Sequence, residues 1–212
     1  MLLFVGLGNP GRDYAQNRHN VGAMAVEAIV RRHGLPALRT RSRPSGAFSE
    51  GRLGDDAVRI LRPLSYMNES GRPVGEAMRY FRLAPAEVIV FHDELDLAAG
   101  KVRVKRGGGH AGHNGLRSIA QHIGPDFGRV RIGIGHPGDR DRVTGHVLRD
   151  FSKADRAWVD ATLDAIADAA PLLAAGDDSG FMTRVALLTR PPRPPKPKPA
   201  PGEAGRETTD ED

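Results

Sequence analysis

One histidine, one aspartate and three asparagines carry the residue types and placement that suit hydrolytic chemistry in this chain of 212 residues. His19 is the natural base, because imidazole titrates near neutrality and can take a proton from water. It stands just before a helical pattern. The positive end of that helix disfavours imidazolium, whereas a carboxylate such as Asp93 favours it and fixes the ring's tautomer. A close hydrogen-bonded carboxylate outweighs the ~0.3–1 kcal/mol of an exposed helix dipole, so a His19–Asp93 dyad is expected. Asn9, Asn68 and Asn114 offer carboxamides that can hold a peptide-like acyl group or donate to a developing oxyanion without adding a titrating charge. Taken singly, each is also an ordinary turn or cap residue. No serine sits in a nucleophile elbow and there is no cysteine, which favours direct attack by water.

Positioning these groups requires a scaffold that gathers distant segments. Short apolar runs at 2–6, 58–61, 88–91, 102–105 and 130–134 read as strands. Helical spacing links Val21, Met24, Ala25, Ala28 and Ile29, with Asn20 as N-cap and Gly34 as the stop. Val74, Ala77, Met78 and Phe81 repeat likewise, as do Leu116, Ile119, Ala120 and Ile123. Later, Val159, Leu163, Ile166, Ala170 and Leu173 make one face of a long helix, with Asp160, Asp164 and Asp168 on a solvated side. The pattern predicts a single-domain α/β/α sandwich around a mixed, largely parallel twisted sheet. Asn9 follows the first strand, Asn68 lies between the second strand and its helix, Asp93 follows the third, and His113 with Asn114 opens a helix. Beyond the carboxyl ends of parallel strands, such positions share one crevice.

Two glycine-rich stretches invite other readings. Gly6-Leu7-Gly8-Asn9-Pro10-Gly11 satisfies a dinucleotide pattern, but Pro10 deletes an amide that would face pyrophosphate, and no acidic strand end follows for a ribose. Residues 107–115 carry enough glycine for backbone amides to approach an anion, and His110 with His113 could ligate a metal beside Asp93, Glu94 or Asp96. Residues 1–150 hold 23 Lys and Arg against 15 Asp and Glu, so a polyanion is expected to dock there. No apolar run approaches the ~20 residues of a membrane span, and no signal peptide is evident, so a cytoplasmic protein is expected. Seven of the sixteen prolines fall between Pro191 and Pro201, which predicts a disordered Pro-rich and polar tail over 190–212 behind a domain of residues 1–189.

The ordered motifs resemble those of the bacterial peptidyl-tRNA hydrolases. The match runs through Val5-Gly6-Leu7-Gly8-Asn9-Pro10-Gly11, Arg18-His19-Asn20-Val21-Gly22, Tyr66-Met67-Asn68-Glu69-Ser70-Gly71, His92-Asp93-Glu94-Leu95-Asp96-Leu97, Gly112-His113-Asn114-Gly115-Leu116 and Arg131-Ile132-Gly133-Ile134-Gly135-His136-Pro137-Gly138. The resemblance implies cleavage of the ester joining a peptide to the terminal ribose of tRNA, by a monomer with no metal and no cofactor. On that resemblance His19 is the general base and Asp93 its orienting partner. Asn9, Asn68 and Asn114 bind the peptidyl backbone and terminal nucleotide, while Tyr14, Tyr66, Met67 and His113 complete the substrate cleft. Lys105 and Arg131 meet the 5′ phosphate region of tRNA. Asn17 and Ser65 stand where the family commonly has threonine. The rival reading is a non-catalytic tRNA- or RNA-binding protein of the same fold, and a pure platform has no need of a dyad.

Overall fold

A computed structural model describes residues 1–190. The expected tail lies outside the described residues, apart from Arg190. Among the described residues seven strands form one sheet: β1 (Leu2–Gly6), β2 (Arg39–Ser42), β3 (Ser45–Leu53), β4 (Asp56–Arg62), β5 (Val88–Glu94), β6 (Val102–Arg106) and β7 (Gly128–Gly133). Their order across the sheet is β2-β3-β4-β1-β5-β7-β6. The central four, β4, β1, β5 and β7, run parallel, while β2, β3 and β6 are antiparallel to their neighbours. The mixed, largely parallel sheet is therefore as expected.

Among the described residues six α-helices complete the fold: α1 (Val21–Arg32), α2 (Gly71–Tyr80), α3 (Asn114–Ile123), α4 (Val143–Val147), α5 (Lys153–Ala174) and α6 (Asp178–Leu188). The strands of the sheet's centre are buried on both faces, so their alternate residues feed two separate cores. Phe4, Ile89 and Phe91 point into the layer of α1, α5 and α6, with Ile29, Ile166 and Phe181. Leu3, Val5, Val88 and Val90 point into the layer of α2 and α3, with Val74, Leu116 and Ile119. This is the three-layer sandwich that the alternating patterns predict.

The apolar face of α5 is buried as expected, and Asp160 and Asp164 are exposed. Asp168 does more than face solvent: it bonds Arg32 of α1 at 2.6 Å and Arg184 of α6 at 2.9 Å, pinning three helices on one carboxylate. The hairpin β2–β3 has no counterpart among the strands expected from sequence. Its outer strand, Arg39–Ser42, is exposed throughout, so no apolar alternation marks it.

Candidate active site

The first strand, the glycines that follow it and α1 together build the crevice. Leu7 N–H donates to the Phe91 carbonyl at 3.1 Å, and Ala23 N–H donates to the Leu7 carbonyl at 2.9 Å, so the chain after β1 is stitched both to β5 and to α1. At Gly22 a β-carbon would lie 2.0 Å from the Phe91 oxygen, and at Gly6 one would lie 2.6 Å from the Gly22 oxygen. Only glycine permits this approach of helix to strand ends. Gly6 and Gly8 thus serve helix packing, which explains why a dinucleotide-like pattern occurs without the acidic partner of a ribose site.

That close approach brings the turn Arg18–Asn20, which leads into α1, over the carboxyl end of β5. His19 Nδ1 lies 2.9 Å from Asp93 Oδ1 and 3.0 Å from Oδ2. Both residues are buried, at 8% and 4% exposure. Asp93 belongs to β5 itself, which runs to Glu94, rather than to a loop after Phe91.

His113 joins the pair from the opposite side. Its Nδ1 accepts from Gly115 N–H at 3.1 Å and Leu116 N–H at 3.4 Å, capping α3. An imidazole nitrogen that accepts carries no hydrogen, so the His113 proton sits on Nε2, which donates to Asp93 Oδ1 at 3.0 Å. Asp93 therefore accepts from two imidazoles. His19 must present Nδ1–H to it, which leaves the His19 Nε2 lone pair for a substrate water.

The electrostatics follow from this closed cluster. Burial pushes the His19 pKa down, but the charge and hydrogen bond of Asp93 more than reverse that, and the group ends above the ordinary imidazole value. Burial opposes ionisation of Asp93, yet its interactions with His19 and His113 hold it well below the usual carboxylate range. His92 is fully buried and edge-on to His113, its Nδ1 donating to the Asp93 carbonyl at 2.7 Å. Burial, then His113, lowers its pKa to about 3, so it stays neutral beside the dyad.

His19, Asp93 and His113 offer ligand atoms within 4.8 Å of one another, a set from which a metal could be held. The nitrogens facing Asp93 are already committed as hydrogen-bond donors, and a metal there would have to displace both protons. His110 does not join them; its Nδ1 accepts from Gly112 N–H at 3.2 Å within the loop.

Asn9 is buried and held on two sides. Its Oδ1 accepts from Met67 N–H at 2.8 Å, and Asn20 clamps its backbone, accepting from Asn9 N–H and donating to the Asn9 carbonyl, both at 2.9 Å. Asn20 makes no capping bond to α1, so its expected role as N-cap is replaced by this clamp. Met67 is buried beside Gly115, where its sulfur would lie 2.6 Å from an added β-carbon. Asn68 and Asn114 are exposed, at the turn before α2 and at the first residue of α3. Tyr14 is half-buried near Gly11, and Tyr66 is 57% exposed.

Lys105 and Arg131 lie toward the far side of the sheet. In the β6–β7 ladder Lys105 is opposite Arg129 and Arg103 is opposite Arg131. All four alternate with Val104, Val130 and Ile132, which face the α1 layer, so they share the other face. Lys105 is exposed beside Gly108, and Arg131 is bound to the buried Glu94 at 2.8 Å. Arg129, which sequence reasoning overlooked, is 2% exposed and stacks 4.6 Å above Phe127. Its guanidinium donates to the carbonyls of Gly108 and Gly109 and, at 3.4 Å, of Pro125, tying down the glycine-rich loop. A charged residue alternating with core valines in a strand is the signal that marks it.

Comparison with known proteins places the chain in a family. Residues 3–193 match the family model described as peptidyl-tRNA hydrolase. A peptidyl-tRNA hydrolase of Parvibaculum lavamentivorans is 61% identical over 199 residues, covering 93% of this chain and 96% of that protein. One from Dinoroseobacter shibae is 61% identical over 193 residues, covering 91% and 81%. The crystal structure of peptidyl-tRNA hydrolase from Acinetobacter baumannii superposes with a TM-score of 0.82 at 42% identity, covering 87% of this chain and 94% of that one.

Proposed function

Because the chain belongs to the peptidyl-tRNA hydrolase family, and so hydrolyses the ester between a peptide and tRNA, we propose that His19 and Asp93 carry that reaction. The observation that supports this assignment is the bidentate approach of His19 Nδ1 to the Asp93 carboxylate. With Nδ1–H held there, His19 Nε2 takes a proton from water as the water oxygen attacks the ester carbonyl. The imidazolium that forms is stabilised by Asp93 and returns the proton to the departing ribose oxygen, leaving free peptide and tRNA. The non-catalytic platform is disfavoured, since family membership and the dyad occur together.

The substrate is held by several groups. Asn9 has its Oδ1 engaged by Met67 N–H, so its NH2 is left to donate to the peptidyl carbonyl or the oxyanion. Asn68 and Asn114 contact the peptidyl backbone and terminal nucleotide, with Tyr14, Tyr66 and Met67 as walls. His113 is assigned to orienting Asp93 as well as bordering the cleft. Lys105 and Arg131 bind the 5′ phosphate region of tRNA, a contact indifferent to base sequence that suits an enzyme serving many tRNAs. Residues 1–189 form the catalytic unit, acting as a monomer in the cytoplasm without a metal or cofactor. Among the described residues no helix is long and apolar enough to cross a membrane.

The test is incubation of the purified protein with N-acetyl-aminoacyl-tRNA. Release of free tRNA and N-acetyl amino acid is expected, and its absence defeats the assignment.

A further inference from the structure

His19 stands on a short turn, and the chain on each side of it is held by a different part of the fold. Asn20 is locked to Asn9 behind β1. On the other side, residues 16–18 pair antiparallel with residues 149–151, the link between α4 and α5. Arg18 N–H donates to the Arg149 carbonyl and Phe151 N–H to the Gln16 carbonyl, both at 3.1 Å. Asn17, 3% exposed, donates from Nδ2 to Asp150 Oδ1 at 2.7 Å.

Arg18 turns this pairing into a clamp. Its Nη1 donates to the Asp150 carbonyl at 2.9 Å and to the Arg149 carbonyl at 3.3 Å, and its Nη2 donates to Asp155 Oδ2 at 2.8 Å. The side chain is only 11% exposed, with its guanidinium 5.3 Å over the Phe151 ring. The anchor is firm: Phe151 belongs to the core of the α1 layer and meets Trp158 edge-on, while Asp155 also accepts from Ser152 N–H and Oγ, both at 2.9 Å, at the start of α5. One side chain thus ties the residue before His19 to a backbone link, a helix start and the core.

None of these contacts reaches the imidazole itself. The ionisable groups that face it are Asp93 of β5 and His113 before α3, whose ring lies 4.8 Å away. Burial and Asp93 set the His19 pKa, and the Arg18 charge is met by Asp155. What Arg18 controls is where the turn carries the ring. A hydrogen bond to a carboxylate fades beyond ~3.2 Å, and a misplacement of about 1 Å can cost about 10²-fold in rate.

We infer that Arg18 is a positioning residue for the general base: its fork, spread over Arg149, Asp150 and Asp155, holds the turn where His19 Nδ1 meets Asp93 and Nε2 faces the substrate water. The inference rests on the dyad assignment and adds to it. Lysine keeps the charge but not the planar fork, so it cannot hold two carbonyls and a carboxylate together.

The experiment measures kcat, KM and the pH profile of N-acetyl-aminoacyl-tRNA hydrolysis for Arg18→Lys and Asp150→Ala in the full chain. Asp150 is exposed, so its variant keeps the fold while releasing Asn17. Expected is a kcat lower by about tenfold in Arg18→Lys and about threefold in Asp150→Ala, with KM within about twofold. In both, the acidic limb of kcat/KM moves to lower pH, because Asp93 grips His19 less closely. An unaltered kcat in both variants overturns the inference, as does an effect confined to KM. So does a lower kcat with the limb unmoved, which is what a merely less stable protein would give. Near-unaltered cleavage by His19→Ala overturns the base assignment, and the positioning role falls with it.

Discussion

His19 Nδ1 sits 2.9 Å from Asp93 Oδ1 across 74 positions of sequence. What brings the two together is the packing of α1 on the ends of β1 and β5, where Gly22 leaves no room for a side chain. The dyad is thus a consequence of backbone contact, with the imidazole carried on the turn that feeds the helix and the carboxylate on the strand beneath it.

Gly22→Ala therefore tests the scaffold. A β-carbon 2.0 Å from the Phe91 oxygen forces α1 away from β5. Thermal unfolding should show a loss of about 1–3 kcal/mol, the usual range for overpacking, with hydrolysis reduced beyond what the unfolded fraction explains. Stability and activity within error of the unaltered protein would contradict the packing argument.

Asp93→Asn keeps the shape but supplies an NH2 where His19 Nδ1–H needs an acceptor, favouring the tautomer with hydrogen on Nε2. Expected is a fall in kcat of about 10²–10⁴ with tRNA binding preserved. The unaltered protein should show kcat/KM rising with pH through an apparent pKa above the ordinary imidazole value of 6.5, because Asp93 raises His19 and only neutral His19 acts as base. In the residual activity of Asp93→Asn that limb should move to lower pH. An identical limb in both proteins would dissociate it from His19.

His92 makes a separate prediction about acid stability. Its pKa is about 3 when folded, so below its ordinary 6.5 the unfolded chain binds a proton that the native state refuses. Stability contributed by neutral His92 is therefore lost as pH falls from 6.5, by about 2 kcal/mol at pH 5. His19 has the opposite sign: its contribution is complete below 6.5 and declines only as pH rises through its raised folded value. Denaturant unfolding of His92→Gln should show a shallower decline between pH 6.5 and 5 than the unaltered protein. Parallel curves would show that His92 does not set it.

The two cations proposed for the tRNA phosphate should separate under salt. Lys105 is exposed, so Lys105→Ala should weaken tRNA binding and flatten the plot of log affinity against log salt by about one contact, leaving stability alone. Arg131→Ala should flatten that plot similarly but also cost about 1–3 kcal/mol of stability, because it strips Glu94, 8% exposed, of its ion-pair partner. An unchanged salt slope in both variants would remove these residues from the phosphate site.

Much of this arrangement was legible in the residues. The strands around Phe4 and Val90 announce themselves as short apolar runs, and parallel strand ends converge, so His19 and Asp93 could be paired before any coordinates. Asn20 was harder: an asparagine before a helix reads as a cap, and only the tertiary fold shows its carboxamide turned back onto Asn9. The hairpin strand Arg39–Ser42 has no buried face, and short α4 offers too little periodicity to register. The His113 bond to Asp93 was hidden for another reason. A His-Asn doublet beside glycines suits a loop, a metal site or a cap, and distance alone selects the one in which Nδ1 caps α3 and Nε2 holds the carboxylate.

The most direct test of the central claim is single-turnover hydrolysis of N-acetyl-aminoacyl-tRNA by His19→Ala, with tRNA binding measured on the same preparation. If the imidazole is the base, cleavage falls by about 10²–10⁴ while binding stays within about twofold. Cleavage at nearly the unaltered rate by a variant that binds tRNA normally would show that some other group activates the water.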